Sequence, residues 1–116
     1  MTKEYKILNL TMHDVTVKFN GETRIFPKSG MSVRCNIPME DTTPINGVPT
    51  KIKQLDKVDT TLPPEQENVL LLVSSMVLDT CPERKDLISP DTSKGMAIKD
   101  KHGKIIAVRG FQRNTH

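Results

Sequence analysis

The sequence predicts a small, mainly β domain of the α+β class, largely antiparallel, with one short helix after its central strand. Three observations predict it: apolar and polar residues alternate over short runs, two Asn-Gly dipeptides separate such runs, and helical periodicity is scarce. A chain of 116 residues is long enough for one domain spanning 1–116 and too short for two, and its last residues, 112–116, are expected to fray.

Tyr5 to Leu10, YKILNL, is strand-like, and Thr11-Met12-His13-Asp14 breaks it. Val15 and Val17 then alternate with Thr16 and Lys18 up to Phe19, where Asn20-Gly21 signals a hairpin because both residues tolerate positive φ. The return strand is Thr23 to Phe26. After Pro27-Lys28-Ser29-Gly30, a further strand over Ser32 to Ile37 puts Val33, Cys35 and Ile37 on one face, opposite Ser32, Arg34 and Asn36. Pro38 to Pro49 is rich in Pro, Asp and Thr and reads as a loop or a loose hairpin around Asn46-Gly47, and Val48 to Val58 as a Lys-rich edge strand.

Leu62 to Asp91 is the only stretch dense enough in apolar residues to fix a core. Within it Asn68 to Val73, NVLLLV, suits a strand buried on both faces. Ser75 can cap a short helix that begins at Met76 and that Pro82 stops. The polar residues from Arg84 to Asp91 read as a loop. Met96 to Lys99 and Lys104 to Phe111 form a closing hairpin around Lys101-His102-Gly103.

Composition narrows the function classes. Seventeen basic residues against fourteen acidic ones leave +3, with the signs interleaved, and the only aromatics are Tyr5, Phe19, Phe26 and Phe111. A dedicated nucleic-acid binder concentrates cations and stacking rings, so nucleic acid is not the expected partner. The lean apolar content points to possible burial in a homo-oligomer. With no signal-like start and no membrane-length apolar run, the expected compartment is the cytoplasm, with Cys35 and Cys81 reduced and non-catalytic. His13, His102 and His116 lack zinc-site spacing, and no cofactor or metal is expected.

Two segments could carry a site. A buried strand ending in Ser74-Ser75 and turning into a helix offers hydroxyls and backbone N–H groups to an anion, with Arg84 and Lys85 close behind. The competing account is a plain cap at Ser75 and a surface pair between Arg84 and Asp86. In the second segment Asn9, Thr11 and His13 alternate, so an extended backbone projects them from one face toward a planar or hydroxylated ligand. Here the competing account is a strand end whose Asn and Thr side chains satisfy a turn. Asp86 and Asp91 complete the candidate ligand-binding set. A hydrolase using His13 with Asp86 or Asp91 has no nucleophile or metal motif behind it, so the expectation is a non-enzymatic protein.

The phrases ILNLTMHDVTV, LPPEQENVLLLVSSMV, RKDLISPD and KDKHGKIIAVRGF together resemble a group of small uncharacterised bacteriophage and bacterial proteins. That group carries an LNLTPHDV-like opening, a strand ending in Ser before a short helix, and an R-x-D-x-x-x-P phrase. Met12 stands where the pattern has Pro, while Asn9, Thr11, His13, Ser74, Arg84, Asp86 and Pro90 match it. The resemblance implies a phage accessory protein acting in the host cytoplasm, for which capture of a nucleotide-derived immune signal of host anti-phage defence is a recurrent role. The expected ligand is a small anion such as a cyclic nucleotide or ADP-ribose derivative. The alternative is a protein-protein interaction module, an inhibitor or assembly factor working through its β edges.

Overall fold

A computed structural model describes residues 4–31, 33, 35–54 and 59–114. In chain order its elements are β1 (Lys6–Asn9), β2 (Val15–Phe19), β3 (Glu22–Phe26), β4 (Cys35–Asn36), β5 (Met39–Ile45), β6 (Val48–Lys53), β7 (Asp59–Thr60), β8 (Val69–Leu72), α1 (Ser75–Thr80), β9 (Leu87–Pro90), β10 (Ala97–Lys99), β11 (Ile105–Val108) and β12 (Phe111–Gln112). The described residues are strand-rich with one short helix. Its sheets are mixed, which corrects the expectation of a largely antiparallel arrangement.

One four-stranded sheet runs β1-β8-β9-β12 and the other β10-β11-β2-β3. In the first, β8 pairs in parallel with both β1 and β9, and β12 closes it antiparallel to β9. The continuous apolar run of β8 has its cause here, since a strand flanked by parallel partners is covered on both faces and has no solvent side to serve. In the second sheet β2–β3 and β10–β11 are antiparallel, and β11 meets β2 in parallel at Val108 and Val17.

The stretch 62–91 does organise the core. Leu8, Leu71 and Leu87 lie in register across three strands and pack with Leu10, Val73, Val77, Leu78 and Cys81, so α1 covers this face. The adjacent row, Asn9, Leu72 and Ile88, is buried on the opposite face of the sheet. Fully buried leucines such as Leu72 and Leu87 contribute about 2 kcal/mol each relative to exposure. Cys81 is a buried free thiol, and the Cys35 side chain lies outside the described part.

Both Asn-Gly signals are two-residue hairpin turns. Asn20 and Gly21 have φ of 49° and 75°, and Asn46 and Gly47 have 49° and 81°, the paired positive values that match the twist of the flanking strands. The second turn joins β5 to β6, so Pro38 to Pro49 is a hairpin arm, with a register shift between Thr42 and Ile45 that accommodates Pro44. Met39, Ile45, Val48 and Ile52 on this arm are exposed.

Three expectations change. The strand expected over Ser32 to Ile37 is reduced to Cys35–Asn36, paired with Asp59–Thr60, and Ser32 and Arg34 lie outside the described residues, as do Leu55 to Val58 of the expected edge strand. The helix is capped by Ser74, one residue earlier than expected, and runs from Ser75. Leu87–Pro90, read as loop, is the buried strand β9. At the chain end Gln112 Nε2 donates to Ser89 Oγ, Arg113 to the Lys85 carbonyl and Asn114 to the Leu78 carbonyl. Thr115 and His116 lie outside the described residues.

Candidate functional site

The β2–β3 register fixes one wall of an open cleft. Val15 pairs with Phe26, Val17 with Arg24 and Phe19 with Glu22, so all six side chains share one face of the sheet. Arg24 lies over the Phe19 ring with its guanidinium carbon 4.9 Å from the centroid, and it pairs with Glu22 at 3.0 Å. The opposite wall comes from the other sheet, through Tyr5 and Ile7 at the start of β1 and Phe111 at the start of β12. Phe26 and Phe111 meet edge to face across the gap, their centroids 5.3 Å apart at 62°. Arg109 and Gly110, the link between β11 and β12, close the third side of a cavity of about 400 Å³.

Every aromatic residue of the chain lines this cleft. The buried core, by contrast, is built from Leu, Val, Ile, Ala and Cys without a single ring among the described residues. Rings that a fold needs for packing are placed inside it, where their large apolar area contributes most. Here Phe19, Phe26 and Phe111 are half-buried and Tyr5 is 40% exposed around open space, an arrangement suited to stacking a planar ligand. Two cations stand at the rim. Arg24 is already engaged with Glu22, whereas Arg109 has no ion-pair partner among the described residues. No family model, curated protein or solved structure matches the chain.

The residues singled out from sequence fall into four places. Asn9 is buried, and its amide donates to the carbonyls of Phe26 at 2.7 Å and His13 at 2.9 Å, while its Oδ1 accepts from the Thr11 N–H at 2.9 Å. The Thr11 hydroxyl, 2.6 Å from Asn9 Oδ1 and 2.8 Å from the His13 carbonyl, completes a closed turn. Asn9 therefore has nothing left to offer a ligand, and its place is that of a brace between β1 and β3.

Thr11, His13 and Ser74 do come together, lining a second cavity of about 320 Å³ with Met12, Leu10, Val33, Val73 and Val77. Its character is mostly apolar, and Ser74 Oγ accepts from the Val77 N–H as the helix cap. Ser75 is the exposed first residue of a helix only six residues long. His13 and Asp86 line different cavities, and the carboxylates weighed as acid-base partners of His13 are engaged elsewhere, Asp86 by Arg84 and Asp91 by Ser93.

Arg84 is turned inward. Its Nε and Nη2 donate to the two carboxylate oxygens of Asp86 at 2.9 and 2.8 Å, Nη2 also donates to the Pro63 carbonyl at 2.8 Å, and Glu65 lies 3.3 Å from Nε. Side-chain exposures of 17% and 8% make the Arg84–Asp86 pair largely buried, not the surface pair weighed from sequence. The hydrogen bonds to Asp86 raise the guanidinium's pKa against the opposing pull of burial. With two carboxylates and a carbonyl around it, this arginine has no charge to spare for a phosphate. Asp91 is likewise a turn residue: its carboxylate accepts from the hydroxyl and the N–H of Ser93, and these bonds lower its pKa.

The aromatic cleft was not legible in the chain because only Phe19 and Phe26 share a local hairpin, whereas positions 5 and 111 are brought to them by the sheet topology. Four rings in 116 residues look sparse as a composition. Placed in one site they are dense.

Proposed function

We propose that the protein is a non-enzymatic binder of a small, planar, negatively charged ligand of the nucleotide-derived class, held in the aromatic cleft between the two sheets. The observation that carries this reading is the convergence of the tyrosine and all three phenylalanines on one open cavity, with Arg109, which has no ion-pair partner among the described residues, at its rim. A base stacks on Phe26, on Phe111 or on the Arg24 guanidinium that covers Phe19, with little dependence on its identity, and Arg109 supplies a forked donor for a phosphate. The resemblance to bacteriophage proteins gives this chemistry a context, namely sequestration of a nucleotide-derived signal of host defence.

Calorimetric titration with AMP, ADP-ribose and cyclic dinucleotides tests the proposal. Arg109→Ala should weaken binding roughly tenfold to a hundredfold, the loss of one charge-assisted contact. Phe111→Leu, which keeps the apolar bulk but removes the stacking face, should cost about tenfold. His13→Ala and Ser74→Ala, which alter the other cavity, should bind as the unaltered protein does. If those two variants lose affinity and Arg109→Ala does not, the ligand belongs in the cavity beside the helix.

A second reading, a protein-protein interaction module, is favoured by the β5–β6 arm. Within the described residues it pairs only with itself and carries four exposed apolar side chains, Met39, Ile45, Val48 and Ile52. A two-stranded ribbon is marginally stable alone, which suits a segment that gains its full stability on a partner. Ile45→Lys combined with Val48→Lys at the tip should abolish self-association or partner capture while leaving cleft binding unchanged, as read by sedimentation and by the same titrations.

A further inference from the structure

Resting on the cleft as the binding site, we infer that it is built to hold a single anionic group, so that its ligand class is a nucleoside monophosphate rather than a diphosphate or a dinucleotide, and that Glu22 sets this limit. Val17 is the reference point, because Arg24 on β3 and Val108 on β11 both pair with it from opposite sides. Arg24 and Val108 are thus two strand spacings apart, about 10 Å at the backbone, and Arg109 follows Val108 directly. Both cations line the ring-bearing cleft, reaching it from strands on either side of β2.

They also differ in state. Arg109 is unpaired among the described residues, while Arg24 is held by Glu22 at 3.0 Å and spread over Phe19. A ligand phosphate on Arg109 gains a full positive charge. A second phosphate reaching Arg24 meets an ion pair and must displace the Glu22 carboxylate or lie beside it, and like charge offsets what the guanidinium offers. Arg24 serves the ring of the ligand as a wall, and its ion pair with Glu22, the two side chains 59% and 56% exposed, weakens it as a second phosphate site.

The test is calorimetric titration of the full chain with adenosine, AMP, ADP and cyclic di-AMP. In the unaltered protein AMP should bind at least tenfold more tightly than adenosine, with ADP and cyclic di-AMP no tighter than AMP. Glu22→Gln should tighten ADP and cyclic di-AMP about threefold to tenfold and leave AMP within twofold. That gain should vanish in Glu22→Gln/Arg24→Ala, which separates release of Arg24 from a general change in net charge. Binding of AMP with an unchanged ADP-to-AMP ratio in Glu22→Gln, or ADP tenfold tighter than AMP in the unaltered protein, overturns the role of Glu22 and leaves the cleft standing. Absence of saturable binding by all four compounds overturns the cleft itself.

Discussion

Arg84→Ala should destabilise the fold by about 3 to 5 kcal/mol and leave the ligand affinity of the folded protein unchanged. The guanidinium satisfies both oxygens of Asp86, whose side chain is 8% exposed, and the carbonyl of Pro63. Truncation leaves a nearly buried carboxylate without its bidentate guanidinium and frees the segment that delivers the chain to β8. Most of the loss is the cost of the stranded Asp86, not the intrinsic worth of the pair. Arg84→Met combined with Asp86→Leu should therefore recover most of the stability, because removing both charges also removes both desolvation penalties. Urea denaturation of the three proteins checks this. A loss below about 1 kcal/mol in Arg84→Ala would mean that Glu65 and solvent, not Asp86, set the environment of the guanidinium.

Arg84 also illustrates how far the sequence could be read. Its spacing from Asp86 allowed either a ligand contact or an ion pair, and the choice depended on Pro63, which is 21 residues away and brought near only by the tertiary fold. Local signals fared better. Each Asn-Gly turn depends on two residues and their backbone freedom, so both hairpins could be placed. The apolar run at β8 marked the core correctly, yet its buried-on-both-faces character was not carried to its consequence, parallel neighbours on both sides. β9 is not legible in the sequence because it contributes only Leu87 and Ile88 as apolar residues before Ser89 and Pro90, too short a run for alternation to register. The cleft is the extreme case: Phe19 and Phe26 share one face of a hairpin, but Tyr5 and Phe111 join them only through the order of strands in the two sheets.

Asn9→Ala should cost about 2 to 4 kcal/mol, an unusually large effect for a polar residue at a strand end, and should weaken the cleft as well. The amide bridges the end of β1 to the last carbonyl of β3 and closes the following turn on Thr11 and His13. Alanine leaves the Phe26 carbonyl, the His13 carbonyl and the Thr11 N–H each one partner short, at a position only 2% exposed where water cannot easily replace the amide. Asn9→Asp separates this account from simple loss of side-chain bulk. It preserves shape and the acceptor toward Thr11 but sets a carboxylate oxygen 2.7 to 2.9 Å from two carbonyl oxygens, so at neutral pH it should be at least as damaging as alanine. The consequence for function follows from where the brace attaches. Phe26 is both the acceptor of the Asn9 amide and a wall of the cleft, packed edge to face on Phe111. Loosening β1 from β3 therefore loosens the two walls against each other. In conditions where Asn9→Ala remains folded, it should show a reduced affinity for AMP together with faster amide exchange at Phe26, whereas equal exchange and equal affinity would confine Asn9 to the turn that follows β1.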